Sequence, residues 1–152
     1  MLRACVIGMG PIGNNHSTIY TAMDNVDLAA VCDIREDRAK AGGEKYHCKY
    51  YLDAQKMLDE VKPDLVSIAT GGYEYSSDHY EPAMQALLSG AHVLCEKPIS
   101  NDITLGQKLV DTAKRLNRCL GVDLNHRFTP AARQAKQWQL DGRIGHLLFC
   151  NM

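Results

Sequence analysis

The chain has 152 residues, of which 45% are hydrophobic and 23% are charged, and its formal net charge is −1. This length suits one ordinary domain with its own core, and the near-average composition excludes a disordered chain. The small net charge gives no reason to expect a nucleic acid or an anionic membrane as partner, and no apolar run is long enough to span a bilayer. Because the stretch before Gly8 is too short for a signal-peptide core, we expect a cytoplasmic protein.

Short apolar runs alternate with longer helical patterns along the chain. Strands are predicted at residues 2–7, 27–33, 49–51, 64–69, 92–95 and 120–124. Helices are predicted at residues 11–23 and 35–46, from the N-cap Asp53 to Val61, at 82–88, around 105–116 and at 129–140. This alternation predicts an α/β fold with a doubly wound parallel sheet, a Rossmann fold, with helices on both faces.

Particular residues mark the expected ends and buried faces of these helices. Pro11 suits a first helical position, and Gly90 is expected to end the fourth helix. The pair Gly42-Gly43 is expected to weaken the second helix near its end, and residues 73–78 are expected to form a loop. Helical spacing predicts buried faces in the fourth and fifth helices, made by Ala83, Met84, Leu87 and Leu88, and by Leu105, Leu109, Ala113 and Leu116.

The six cysteines form no C-x-x-C pair and stand at Cys5, Cys32, Cys48, Cys95, Cys119 and Cys150. Most lie in or beside apolar runs, which is typical of reduced thiols that pack as small hydrophobic side chains. A disulfide or metal role is the alternative, but the spacing does not favour it, and we expect no metal site. His47 and His146 have no partner at metal-ligand spacing, and His16 is expected to play a structural or surface role in the first helix.

A glycine-rich motif, Gly-Met-Gly-Pro-Ile-Gly at residues 8–13, follows the first predicted strand and opens the first predicted helix. In that context Gly8 would permit a tight turn, Gly10 would let the backbone approach a pyrophosphate, and Gly13 would let helix and strand pack closely. The helix that opens with Pro11 and Ile12 adds free N–H groups, from Ile12 onward, that favour phosphate. The motif therefore predicts a dinucleotide site, with a structural glycine turn as the alternative.

An acidic residue, Asp33, lies 20 positions after Gly13, at the end of the second predicted strand. A carboxylate there can accept hydrogen bonds from the adenosine ribose, and it would repel the 2′-phosphate of NADP. Arg35 stands close by and would soften that preference. NAD is therefore the expected cofactor, NADP is possible, and an acidic cap on the strand is the structural alternative.

A second polar cluster, Cys95-Glu96-Lys97-Pro98, stands at the end of the fifth predicted strand. Ligands of open α/β sheets bind beyond the carboxyl ends of the strands, so Glu96 and Lys97 are expected at the ligand edge. A lysine placed there can donate hydrogen bonds to a substrate hydroxyl or carbonyl. A salt bridge at the strand end is the alternative interpretation.

With these motifs the sequence resembles the glucose–fructose oxidoreductase and inositol dehydrogenase family, Gfo/Idh/MocA, over nearly its whole length. The resemblance rests on the runs at 8–13, 31–33, 64–70, 90–98, 125–128 and 142–145, and on His79, Ala83, Ala86 and Leu87. The Glu-Lys-Pro element, at its distance from the glycine turn, is the most specific of these. After Thr70 the chain departs from the family pattern, with Gly71-Gly72 where proline and asparagine are frequent.

The resemblance implies an oxidoreductase that transfers hydride between NAD and a sugar, polyol or related small molecule. It implies that Lys97 is catalytic and lies beside Glu96 near the nicotinamide. The expected cofactor-binding residues are Gly8, Gly10, Pro11, Ile12, Gly13, Asp33, Arg35, Thr70, His79, Glu96, Lys97 and Arg127. The rival hypothesis is a non-catalytic nucleotide-sensing or regulatory module, although a protein that only binds nucleotide does not need a lysine at position 97.

The predicted domain boundaries place a nucleotide-binding domain at residues 1–142 and the start of a crossing at 143–152. Family members carry a C-terminal α/β domain with a catalytic histidine, and we expect this chain, as a fragment or a truncated product, to lack it and to turn over little substrate alone. The strand-like run after Gly145 is interpreted as the first strand of that domain, with a last strand of the same sheet as the alternative. Trp138 is expected in the core or at the interface with the missing part, and the full-length protein is expected to be a homo-oligomer.

Overall fold

In the part of the chain that the structure describes, six strands and six α-helices alternate in the predicted order. The computed structural model describes residues 1–71 and 78–148. The strands are β1 (Leu2–Ile7), β2 (Val26–Cys32), β3 (Lys49–Tyr51), β4 (Leu65–Ile68), β5 (His92–Cys95) and β6 (Leu120–Val122). The helices are α1 (Pro11–Thr21), α2 (Glu36–Tyr46), α3 (Ala54–Val61), α4 (Tyr80–Leu88), α5 (Ile103–Arg115) and α6 (Pro130–Leu140), with a 3-10 helix at Asn125–Phe128.

All strand pairs are parallel, and the order across the sheet is β3-β2-β1-β4-β5-β6. The order reverses beside β1, so the fold is the doubly wound Rossmann type that the sequence predicted. The register places the strand ends level: Ile7 pairs with Cys32 and Ile68, and Ile68 pairs with Cys95. The segments that follow β1, β2, β4 and β5 therefore begin side by side at the carboxyl edge.

Each face of the sheet has its own hydrophobic core. Met57, Leu87 and Leu109 belong to the larger cluster, which joins one face to α3, α4 and α5. The smaller cluster lies on the α1 and α2 side and includes Met9 and Tyr20. Burial of each leucine-sized side chain contributes about 1.5–3 kcal/mol, so these two layers hold the carboxyl edge in place.

The glycine pair of α2 has a packing role, and the predicted buried face of α4 needs correction. The pair Gly42-Gly43 lies inside α2, where both residues are buried. A methyl group on Gly42 would stand 2.8 Å from the Met9 side chain, so close packing explains a glycine there. In α4, Leu88 is 60% exposed while Ala86 is fully buried, because the buried face is rotated toward residues 83, 86 and 87.

The C-terminal part of the chain differs most from expectation. No residue of α6 is buried, and Trp138 is 42% exposed, so of its two predicted places the core is wrong and the interface stays a prediction. Residues 146–148 are exposed and form no strand, and the rest of the predicted final strand, at 149–152, lies outside the described residues. Residues 72–77, which include most of the predicted loop, also lie outside them.

The five cysteines within the described residues are free thiols, as expected, although their burial varies. Cys5, Cys32 and Cys95 are buried, Cys48 is half-buried, and Cys119 is exposed. Cys150 lies outside the described residues. Within residues 1–71 and 78–148, none of the helices combines the length and the apolar character that crossing a bilayer requires.

Candidate functional site

The glycine turn after β1 is packed so tightly that two of its positions exclude a side chain. Gly8 has φ +96°, and a methyl group on it would stand 2.5 Å from the Ala69 carbonyl oxygen. A methyl group on Gly13 would stand 1.7 Å from the Gly8 carbonyl oxygen. Gly8 and Gly13 are therefore required by the junction of β1, β4 and α1, in agreement with the predicted tight turn.

Gly10, between them, faces open space. A methyl group on Gly10 would meet no heavy atom within 4 Å. Gly10 is the N-cap of α1, Pro11 follows it, and neither a side-chain cap nor an acidic residue occupies the first turn. The Asn14 side-chain amide stabilises the turn by donating hydrogen bonds to the Met9 and Gly10 carbonyls, both at 3.1 Å. The helix start is therefore open to an anionic group, which its N–H groups and dipole favour.

Asp33 joins the end of β2 to this turn. Its carboxylate is 8% exposed and accepts hydrogen bonds from the Met9 N–H at 2.7 Å and from the Arg35 N–H at 2.9 Å. A carboxylate oxygen has two lone pairs, so each oxygen can still accept a hydrogen bond from a hydroxyl group. Asp33 is thus both a brace for the glycine turn and an acceptor at the edge.

The Arg35 side chain forms an ion pair with Asp37. Its guanidinium donates to the Asp37 carboxylate at 2.7 and 3.1 Å, and both side chains are exposed. The hydrogen bond from Arg35 holds the pKa of Asp37 below its usual value. The charge of Arg35 is therefore balanced by Asp37 beside the Asp33 carboxylate.

Glu96 and Lys97 continue from β5 at the same edge. The Glu96 N–H donates to the Ile68 carbonyl at 2.9 Å, which ties the segment to the end of β4. The Glu96 carboxylate is buried and accepts the Lys97 N–H at 3.2 Å. The Lys97 side chain is exposed, and the Lys97–Pro98 peptide bond is cis. The Lys97 side chain is therefore exposed at the carboxyl edge of the sheet, while its backbone N–H is bonded to Glu96.

His79 connects the segments that follow β4 and β5. It is 2% exposed, and its ring nitrogens lie 2.6 Å from the Pro98 carbonyl oxygen and 3.0 Å from that of Thr70. The Thr70 hydroxyl donates to the Asp78 carbonyl at 3.3 Å. Thr70 and His79 thus lie next to the segment that carries Lys97.

Arg127 is the predicted site residue that stands apart. It is exposed in the 3-10 helix after β6, and among the described residues no side-chain contact joins it to the other predicted site residues. Its backbone N–H donates to the Leu124 carbonyl. Arg127 thus lies near the carboxyl end of β6, apart from both the glycine turn and the Glu96–Lys97 segment.

Sequence reasoning missed a buried cluster behind Glu96. His16 is 5% exposed, and its Nδ1 lies 2.6 Å from the Ser67 hydroxyl. Its Nε2 lies 3.4 Å from Glu96 Oε1 and 3.3 Å from Asp123 Oδ2. The buried positions 13, 16, 17 and 20 of α1 follow helical spacing, and this pattern could have identified His16 as buried rather than on the surface.

Comparisons with known proteins agree with this geometry. Residues 2–124 match the model of the oxidoreductase family with an NAD-binding Rossmann fold, GFO_IDH_MocA. The chain is 35% identical over 148 residues to the D-glucoside 3-dehydrogenase of Escherichia coli, a match that covers 96% of the chain and 41% of that protein. It is 28% identical over 145 residues to the myo-inositol 2-dehydrogenase of Thermotoga maritima, covering 95% and 42%.

The solved structures give the same result. The WlbA dehydrogenase of Chromobacterium violaceum, in complex with NADH and UDP-GlcNAcA, superposes with a TM-score of 0.87 at 26% identity, covering 95% of this chain and 41% of that one. The chain therefore spans about two-fifths of the length of these relatives. The family model covers most of the chain and includes the glycine turn, Asp33 and the Glu96-Lys97-Pro98 segment, so this chain belongs to the Gfo/Idh/MocA oxidoreductase family, as its NAD-binding Rossmann domain.

Proposed function

We propose that this chain is the cofactor-binding part of an enzyme that transfers hydride between NAD and a sugar or polyol. The observation that carries the proposal is the common edge of the sheet. There the open glycine turn and Asp33 lie on one side, and Glu96 and Lys97 lie on the other. Relatives named as glucoside and inositol dehydrogenases support the sugar or polyol class.

The residues at this edge suit NAD. Gly10 leaves room for a pyrophosphate against the start of α1, and Asp33 offers acceptors for the adenosine ribose hydroxyls. Asp33 and the Arg35–Asp37 pair leave no unbalanced positive charge for a 2′-phosphate, so NAD is favoured over NADP. When bound, the cofactor supplies the hydride acceptor or donor.

Lys97 has the position of a group that handles the substrate proton. Oxidation of an alcohol carbon releases a proton from the hydroxyl as the hydride leaves, so a donor and acceptor group is needed beside the reacting carbon. The Lys97 ammonium group offers three N–H donors and is exposed at the edge. We assign Lys97 to orienting the substrate oxygen: its ammonium group would give a proton to the carbonyl oxygen during reduction, and its neutral amine would accept the hydroxyl proton during oxidation.

The test begins with binding by the purified chain. We expect NADH to bind more tightly than NADPH in isothermal titration calorimetry, because Asp33 repels the 2′-phosphate. We also expect the chain to produce little or no NADH from sugars alone. Tighter binding of NADPH would contradict the assignment of Asp33, and robust sugar-dependent NADH production by the 152-residue chain would contradict its role as the cofactor-binding part alone.

Lys97→Ala then separates catalysis from binding. In a longer, active form of the protein, loss of the ammonium group should lower kcat by about a hundredfold or more, since that is the usual scale of acid–base catalysis. The affinity for NADH should change less than about twofold, which is within about 0.4 kcal/mol. Lys49→Ala, at the exposed edge strand β3, is the matched control and should change neither quantity.

A further inference from the structure

His16 lies where the carboxyl ends of three neighbouring strands meet. It projects from α1 against Ser67 in β4, against Glu96 directly after β5 and against Asp123 directly after β6. The Glu96 and Asp123 segments are themselves joined, because the Asp123 N–H donates to the Cys95 carbonyl at 2.8 Å. One imidazole ring therefore contacts three strand ends behind the residues assigned to NAD.

Chemistry decides which nitrogen of this imidazole carries a proton. Ionised carboxylates only accept hydrogen bonds, so Nε2, which faces both Glu96 and Asp123, must carry a hydrogen. Nδ1 faces the Ser67 hydroxyl, which can either donate or accept. Within residues 1–71 and 78–148, no lysine or arginine forms an ion pair with either carboxylate. His16 Nε2 thus lies close to the buried carboxylate of Glu96 and to the partly buried carboxylate of Asp123.

The remaining titratable group of the cluster is Tyr20, one turn further along α1. Burial raises the pKa of its phenol, the Ser67 hydroxyl opposes that shift, and the charge of Asp123 adds to it. Tyr20 is 6% exposed and stays a neutral phenol. A neutral phenol therefore adds no positive charge beside the carboxylates.

Glu96 connects this buried cluster to Lys97. Its Oε1 faces His16, while its Oε2 accepts the Lys97 N–H at 3.2 Å. Rotation of the Glu96 side chain would break both contacts at once. The orientation of the Lys97 backbone is therefore coupled to His16 through a single carboxylate.

We propose that His16 is a positioning residue for the nicotinamide end of the site: its Nε2–H bridges Glu96 and Asp123 and so holds the Glu96–Lys97 segment in place. The proposal rests on the proposed function, which assigns that segment to the nicotinamide. It differs from a purely structural role, because loss of the bridge should affect the nicotinamide half of the dinucleotide and spare the adenosine half at Asp33.

The first experiment compares two ligands, NADH and ADP-ribose, which lacks the nicotinamide. We expect His16→Phe to weaken NADH binding about tenfold, the size of one lost hydrogen bond to a charged group, and ADP-ribose binding less than about twofold. His92→Phe is the matched control, because His92 lies at the opposite edge of the sheet, where its Nδ1 accepts a hydrogen bond from the Cys119 N–H. Equal weakening of both ligands, or of neither, would overturn the proposal.

A rescue variant and a spectroscopic measurement keep the test decisive if His16→Phe folds poorly. Asp123→Asn removes one carboxylate charge and supplies an amide donor toward Glu96, so the double variant should regain NADH affinity relative to His16→Phe alone. In the unsubstituted chain, ¹⁵N NMR should find His16 protonated at Nε2 between pH 6 and 9. An unprotonated Nε2 would overturn the proposal.

A divalent cation is the rival occupant of this cluster. The ligand-type atoms of His16, Glu96 and Asp123 lie within 4.8 Å of one another, close enough for one ion. Stoichiometric uptake of Zn²⁺ or Mn²⁺ with loss of the Nε2 proton would therefore overturn the proposal, whereas no uptake supports it. Failure of the unsubstituted chain to bind NADH would instead contradict the proposed function.

Discussion

At the scale of single residues, the glycines of one motif have separate tasks. Gly13 has no room for a side chain, because a methyl group would stand 1.7 Å from the Gly8 carbonyl oxygen. Gly10 has ample room, since nothing lies within 4 Å of a methyl group there. Packing therefore requires a glycine at position 13, whereas packing does not require one at position 10.

This difference predicts opposite outcomes for two alanine variants. Gly13→Ala should lower the free energy of unfolding by at least about 4 kcal/mol, since backbone must move to admit the methyl group. Gly10→Ala should cost no more than about 1 kcal/mol, because its φ of −69° suits alanine. Urea denaturation measures both effects.

Binding completes the comparison. Gly10→Ala should weaken NADH binding at least about tenfold, because its methyl group would stand where the pyrophosphate approaches. A folded Gly10→Ala chain with unchanged NADH affinity would show that the pyrophosphate lies elsewhere. A Gly13→Ala chain of normal stability would contradict the packing of the turn.

At the scale of elements, His79 joins two strand ends that carry site residues. Both of its ring nitrogens face backbone carbonyl oxygens, of Thr70 after β4 and of Pro98 after β5. Carbonyls only accept hydrogen bonds, so a ring N–H on either side of His79 faces an acceptor. The histidine thus stabilises the position of the Lys97–Pro98 segment relative to β4, at the start of α4.

Removal of this link should loosen the segment before it unfolds the protein. We expect His79→Phe to lower the free energy of unfolding by about 1–3 kcal/mol, since two carbonyls lose a buried partner. Hydrogen exchange read by mass spectrometry should become faster in residues 96–102 while β1 stays protected. Uniformly faster exchange across the sheet, or none, would show that His79 does not act locally.

At the scale of the whole molecule, the ionisation and reactivity of the buried thiols depend on whether the sheet is folded. Burial raises the pKa of Cys5, Cys32 and Cys95 to about 12, from an ordinary value near 9. Because the folded pKa values exceed the unfolded ones, the folded state should lose stability as pH rises from about 9 toward 12. Cys119, by contrast, directly precedes β6 and is exposed.

Thiol labelling should therefore follow global unfolding. At pH 8 iodoacetamide should modify Cys119 quickly, while Cys5, Cys32 and Cys95 stay unmodified until urea unfolds the chain, since each has about a thousandfold less thiolate and no solvent access. Peptide mapping identifies each modified site. Early labelling of Cys95 in native conditions would mean that β5 opens separately from the rest of the sheet.

Most of the fold and the outline of the site were predictable because their signals are local. The turn at residues 8–13, the apolar strands and Asp33 act over short stretches of chain, and parallel pairing alone brings the strand ends to one edge. The exposure of Leu88 and Trp138 was not predictable in this way, because it depends on how each helix is rotated and on what covers it.

The sequence by itself thus determined an NAD-binding Rossmann domain, with Asp33 and Lys97 at the carboxyl edge of its sheet. Only the tertiary structure decided that His16 lies between Glu96 and Asp123, and that His79 joins Thr70 to Pro98. Those partners are 80, 107, 9 and 19 positions away in the chain. The physical reason is that hydrogen bonds between buried groups depend on the register and packing of whole strands and helices, which no short stretch of sequence specifies.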